Sequence, residues 1–221
     1  VDATLHLLTE GSSGNPTFPL QLLLGIVTLS MAPFLLVSVT SFVRIVVVLS
    51  LVRSAIGAQT LPPATVLTAL ALLLTFLVMT PTLREISRDA VTPYVEHRIG
   101  DGEFAKRAME PLRAFMLRQT HRSDLTLFTR AAHLRPEEAA GNPTYILVPA
   151  FMVGELRSAF AVGFAIYLPF LVIDLVVASV LMGLGMVMLS PTVVSLPVKL
   201  LLFVMVDGWA LLAGSLVSSF R

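Results

Sequence analysis

Residues 169–189 form an unbroken apolar run that holds a single charge, Asp174, with three methionines, Met182, Met186 and Met188, gathered toward its far end. At 1.5 Å per residue such a run is long enough to cross a bilayer as a helix. A carboxylate at bilayer depth costs about 2.5 to 3.5 kcal/mol on insertion scales, so it is retained where it faces protein or water. The run is therefore expected to be a helix packed against other helices rather than one surrounded by lipid.

The rest of the chain fits that setting. With 221 residues, 56% of them hydrophobic, and a mean hydropathy of +0.87, it is too apolar for a soluble domain and too short for a carrier with a dozen spans. The expectation is an all-α integral membrane or membrane-complex protein. A net charge of +1 offers no electrostatic footprint for nucleic acid. There is no cysteine for a disulfide or thiolate site, and His6, His97, His121 and His133 show no ligand spacing, so neither metal nor cofactor is expected.

Four segments follow from the order of polar and apolar residues. Residues 1–17 read as a flexible leader punctuated by Gly11-Ser-Ser-Gly-Asn-Pro16. The start at Val1 fits either a trimmed chain or a removed signal peptide. Residues 18–82 read as an N-terminal apolar helical hairpin. Its first arm, 18–52, is too long for one straight span and is expected to be a kinked helix or two helices in series around Pro33. The second arm is expected to start at Pro63 and end at Pro81.

Residues 83–143 form a charged, mostly helical insert: positions 83–138 hold ten basic and nine acidic residues. Phe104, Ala108, Leu112 and Phe115 recur at helical spacing, with a kink or restart expected at Pro111. Ser123 and Asp124 read as the cap of a second short helix carrying Leu125, Phe128 and Ala132. Residues 144–221 return to apolar sequence as a C-terminal helical hairpin, with a last helix from 199 to 219. Arg53 and Lys199, in the two short connections without a nearby acid, suit the cytoplasmic side and place the insert outside.

Six charges stand inside apolar sequence: Arg44, Glu155, Arg157, Asp174, Lys199 and Asp207. Equal numbers of acids and bases suit ion pairs between helices or subunits, while a proton or ion relay is the alternative use of intramembrane acids. Glu155 and Arg157 point about 200° apart on a helix, so each needs a partner from another helix or another subunit. Lys199 and Asp207, eight residues apart, would share one side of a continuous helix.

Several stretches together carry a resemblance: Thr40-Ser-Phe-Val-Arg-Ile-Val-Val-Val-Leu-Ser50, Leu61-Pro-Pro63, Phe115-Met-Leu-Arg-Gln-Thr120, Val148-Pro-Ala-Phe151, Glu155-Leu-Arg-Ser-Ala-Phe160 and Leu196-Pro-Val-Lys-Leu-Leu-Leu-Phe-Val-Met-Val-Asp-Gly-Trp209. From about Leu20 onward the chain closely resembles the FliP family of flagellar type III secretion export-gate membrane proteins. The resemblance implies a homo-oligomeric ring, expected to be pentameric, in the bacterial inner membrane at the flagellar basal body. It implies FliQ and FliR as partners, unfolded flagellar export substrates as cargo, a cleaved signal peptide and a periplasmic insert. It places Met186 and Met188, with Met182 nearby, at a methionine-rich pore constriction, with Val187 where many members have methionine. Phe115 and Phe128 fall in its aromatic constriction region, and Glu155, Asp174 and Lys199 on its sensitive charged positions. His121 stands where the family is expected to have arginine.

No phosphate loop, nucleophile and base pair or metal cluster appears, so no enzyme is expected. The nearest rival is the injectisome export-gate paralogue. A rival of another class is a secondary transporter with Asp174 as coupling carboxylate, though the two hairpins lack the repeated halves usual there. The methionines admit two uses, filling core gaps or sealing a pore with flexible, polarizable side chains.

Overall fold

The computed structural model describes residues 17–57, 62–135, 138, 141–186 and 188–220; the expected leader, apart from its last residue Thr17, and Val187 lie outside them. Nine α-helices and no strand occur among the described residues. The chain divides into two compact units, Val1–Val37 and Ser38–Arg221. The described part of the first is helix α1 (Thr17–Val39), which keeps Pro33 inside it and runs two residues past the division. The chain breaks at Thr40 and Ser41 before α2 (Phe42–Ile56), so the 18–52 stretch is two helices in series, parted after the proline rather than at it.

Helix α3 (Ala64–Ile86) runs through Pro81 instead of ending there. Met79 and Thr82, on either side of the proline, are both buried, and packing on that face outweighs the lost backbone hydrogen bond. The helix continues through a π-helical turn (Ser87–Val91) into α4 (Thr92–Val95). Pro93 would crowd the carbonyl of Asp89, and the wider turn falls where that crowding would arise. The border expected at residue 82 thus lies inside a helical stretch that reaches residue 95. In the insert, α5 (Asp101–Gln119) is likewise unbroken at Pro111, and α6 (Arg122–Ala131) follows.

Helix α7 (Thr144–Gly183) is the axis of the second unit, about 60 Å long at 1.5 Å per residue. It packs against α2, α5, α6 and α8 (Pro191–Met205). The expected last helix is two: α8 ends at Met205, Asp207 takes a left-handed φ of 51°, and α9 (Gly208–Ser218) leaves at 63° to α8. One apolar core joins Ile45, Val48, Leu49 and Val52 of α2 to α3, Ala159 and Phe170 of α7, Phe203 of α8 and Leu216 of α9. A second core gathers Met79, Phe115, Met116, Leu147 and Phe151. Ala64–Val95 and Thr144–Gly183 are each long and apolar enough to cross a membrane. Counting each bent helix pair as one span raises the number to four.

Candidate functional site

Helix α2 enters the core with valine, isoleucine and leucine on its buried face, and Arg44 stands on that same face. The guanidinium meets the equally buried carboxylate of Glu155 on α7. Nε donates to Oε2 at 3.0 Å and Nη2 to Oε1 at 2.5 Å. Its remaining donors reach the Ser219 carbonyl at 3.1 Å, the Ser219 hydroxyl at 3.3 Å and Gln119 Oε1 at 3.3 Å. The Phe220 ring covers it at 3.9 Å, stacks on Phe115, and Gln119 Nε2 donates to the Phe220 carbonyl. Such a planar fork suits a buried arginine, because its five donors can all be satisfied without water. α2, α5, α7 and the residues after α9 are thereby tied at one point.

The second cluster sits across the α7–α8 hairpin. Asp174 lies nine residues before the end of α7 and Lys199 eight after the start of α8. Those offsets are about 13 and 12 Å along the two axes, so the residues meet at matching depth. Lys199 Nζ donates to Asp174 Oδ2 at 2.6 Å and to the Ala55 carbonyl at 3.1 Å, while Ser195 Oγ donates to Asp174 Oδ1 at 2.5 Å. Ala55 is in the last turn of α2, whose terminal carbonyls lack helical partners and carry the negative end of the helix dipole. The ammonium therefore serves both the carboxylate and the helix end. Lys199 is buried within α8 rather than set in a connection, which withdraws the orientation cue drawn from it.

The third pair links α6 to α7. Arg157 Nη2 donates to Asp124 Oδ1 at 2.6 Å; the Asp124 side chain is 1% exposed and that of Arg157 52%. Asp124 is thus no cap: His121 holds the N-cap position and Asp124 turns inward. Its Oδ2 has no hydrogen-bond partner among the described residues and lies 3.4 Å from where a Cβ on Gly154 would stand.

Every sequence-singled acid but Asp207 is accordingly paired inside one chain. Glu155 and Arg157 do take partners from different helices, Arg44 on α2 and Asp124 on α6, and neither needs a second subunit. Asp207 is exposed at the start of α9 and shares no helix face with Lys199, because the chain breaks between them. Sequence reasoning passed over Gln119, Ser195 and Ser219, and it read Asp124 as a cap rather than as an ion-pair partner. For Asp124 a signal existed: it is the sole acid between residues 111 and 135, a segment with five arginines. The other three are small polar residues whose roles depend on long-range contacts.

The methionines stand where α7 stops. Gly185, at φ 73°, donates to the Met182 carbonyl at 3.0 Å, and Met186 N–H donates to the Leu181 carbonyl at 2.9 Å. These are the two bonds of a Schellman ending, which a glycine in the left-handed region allows without steric cost. Met182 is therefore helical while Met186 and Met188 lie beyond the stop, so they do not share a helix face. All three are exposed, at 65%, 47% and 100%. Phe115 packs edge-on to Phe151 within the core, and half-buried Phe128 sits on α6, so a single chain does not bring those two rings together. No group of three His, Cys, Asp or Glu side chains among the described residues is arranged to hold a metal ion.

The profile of the FliP family matches residues 25–216. The chain is 45% identical over 217 residues to the flagellar biosynthetic protein FliP of Bacillus subtilis, covering 98% of each. It is 50% identical to that of Pectobacterium carotovorum over 92% of this chain and 80% of the relative. For the Caulobacter vibrioides relative the identity is 49% over 96% of this chain and 80% of that one.

Proposed function

The chain belongs to the FliP family, and from that premise we propose that it is a subunit of the flagellar type III protein export gate. In this reading copies of the chain form a ring, pentameric by expectation, that joins FliQ and FliR in the bacterial inner membrane. The ring surrounds the pore through which unfolded flagellar substrates pass, and the charged insert faces the periplasm. The role is structural rather than enzymatic.

The observation that carries the pore reading is the presentation of Met182, Met186 and Met188. They are exposed at the tip of a hairpin whose arms are held together by Asp174, Ser195 and Lys199. A single chain leaves much of the surface of these side chains uncovered, which lets them meet their counterparts around an axis. Methionine is unbranched and polarizable, so a ring of them closes on itself and yields to any passing side chain. Both carboxylate oxygens of Asp174 are engaged within the chain, which favours a fixed strut over the coupling acid of a transporter. The flagellar names of the relatives favour the flagellar gate over the injectisome paralogue.

The test is the pair Met186→Ala and Met188→Ala in the assembled complex, read by its mass and by ion flux through reconstituted vesicles. The expected result is an unchanged mass and a closed pore that leaks small ions. A double variant that assembles and stays as tight as the parent would overturn the gasket assignment.

A further inference from the structure

Helices α8 and α9 meet at a corner held by aromatic packing. The Phe203 ring lies over Gly208, where a Cβ would stand 2.3 Å from its Cε2. The same ring meets Trp209 edge-on at 5.2 Å and Phe170 of α7 at 6.4 Å. Asp207 is fixed between them at φ 51°, its N–H donating to the Val204 carbonyl and its carbonyl accepting from Leu211 N–H, both at 3.1 Å. The fold makes no use of its carboxylate. Capping side chains work from an extended backbone, whereas Asp207 is left-handed and makes no side-chain bond to the first turn of α9. Nor does it have an ion pair among the described residues. The left-handed backbone does not call for a charge, since glycine and asparagine adopt it as well.

The carboxylate is exposed, and the residues flanking it along the chain, Leu201, Val204, Met205, Val206, Trp209 and Leu211, are each at least 40% exposed. An apolar surface of this extent is unfavourable in water, and a bare carboxylate within it is unfavourable in hydrocarbon. A protein surface that is apolar and brings one cation suits both. Away from water the backbone of that partner must satisfy its own hydrogen bonds, which favours a helix. A second copy of this chain has no such cation to offer. The described apolar segments, 17–82 and 144–220, contain four, and each is engaged: Arg44 with Glu155, Arg157 with Asp124, Lys199 with Asp174, and Arg53, which is partnered as well. The other described cations lie in the charged insert, whose main apolar faces, through Phe115, Met116 and Leu125, are packed into its own core.

We infer that the α8–α9 corner is the docking site for an apolar helix of a different polypeptide, whose lysine or arginine binds the Asp207 carboxylate. The inference rests on the reading of the chain as one subunit of a multi-chain gate, and it adds the surface that a non-identical subunit recognises. Charge complementarity selects the occupant. A cation brought to this carboxylate inside an apolar contact makes a charge-assisted hydrogen bond with little competition from water, so it fixes the register of the docked helix as well as its identity. The rigid corner presents the acid in one place, which suits recognition of a single partner position.

The test replaces Val204, beside the acid and 73% exposed, with photoreactive benzoylphenylalanine in the full-length chain, expressed in its source cell in place of the resident copy. The complex is purified, its mass is measured, and the crosslinked peptides are sequenced by mass spectrometry. The expected crosslink is to a different polypeptide, within an apolar segment that carries a lysine or arginine about one helical turn from the linked residue. Asp207→Lys should lower its yield by on the order of tenfold or more, Asp207→Asn by less, and reversal of the partner's basic residue to glutamate should restore the yield of Asp207→Lys. A crosslink only to a second copy of this chain, or none in a complex of normal mass, overturns the inference alone. A crosslink whose yield ignores Asp207→Lys, or is not restored by the reversal in a folded chain, does the same. Where circular dichroism shows that Asp207→Lys does not fold, Asp207→Asn decides, because asparagine keeps the left-handed backbone: a yield equal to that of the parent overturns the inference and a lowered yield supports it. A chain recovered as a lone monomer overturns the gate reading together with it.

Discussion

Replacing Glu155 by glutamine keeps the shape of the side chain and removes only its charge, which makes it the sharpest probe of the Arg44 site. In the parent both carboxylate oxygens accept from Arg44, one from Nε and one from Nη2. Glutamine retains one acceptor and turns an NH₂ group toward the other arginine donor. Arg44 would then keep its charge, almost fully buried, with only neutral acceptors: the glutamine oxygen, Ser219 and Gln119. Breaking a buried pair by removing one partner costs about 3 to 5 kcal/mol, most of it the exposed need of the surviving charge. For a chain of this size each kcal/mol moves the unfolding midpoint by about 2 to 4 °C, so a drop of roughly 6 to 20 °C is expected. The assay is thermal unfolding of the detergent-solubilised chain followed by circular dichroism. It is run on Glu155→Gln, Arg44→Met and the double variant with Glu155→Leu. Because the double variant leaves no orphaned charge, it should recover at least half of the loss. A Glu155→Gln chain within about 1 kcal/mol of the parent, or a double variant as damaged as the sum of the singles, would refute the argument.

Lys199→Met leaves Asp174 with Ser195 alone and uncaps the last turn of α2, and should lower stability by about 3 kcal/mol in the same assay; Lys199→Arg should lose less, since a cation remains. Asp174→Asn should weaken the hairpin without changing proton permeability, and a proton current across vesicles that depends on Asp174 would contradict this. Gly185→Ala forces an alanine into a left-handed conformation at about 1 to 2 kcal/mol, seen as easier proteolysis near residues 184–190. Gly163→Ala would put a Cβ 2.3 Å from Leu51 Cδ1, and overpacking there should cost about 1 to 3 kcal/mol; an unchanged midpoint would show that α2 and α7 part freely.

The sequence by itself determined the class of this protein and its unusual residues. Long apolar runs without strand alternation require helices, and charges inside such runs require partners, whatever the topology. That reasoning found Arg44, Glu155, Arg157, Asp174 and Lys199 before any contact was known. Periodicity also found the stripe that buries Phe115.

What only the tertiary structure decided is who meets whom and where helices end. Glu155 lies 111 residues from Arg44, and Asp174 lies 25 from Lys199. Nothing local distinguishes these partners from the alternatives, since pairing depends on which helices the core brings together. Asp124 reads locally as a cap because caps and buried pairs use the same residue type; the guanidinium of Arg157, presented by α7, chose between them. Helix ends were decided in the same way. Pro81 and Pro111 remain inside helices because buried neighbours hold the chain there, while Asp207 breaks a helix that its apolar sequence would continue. A proline's local cost is a few kcal/mol, within reach of a single packed face, so tertiary burial settles the outcome.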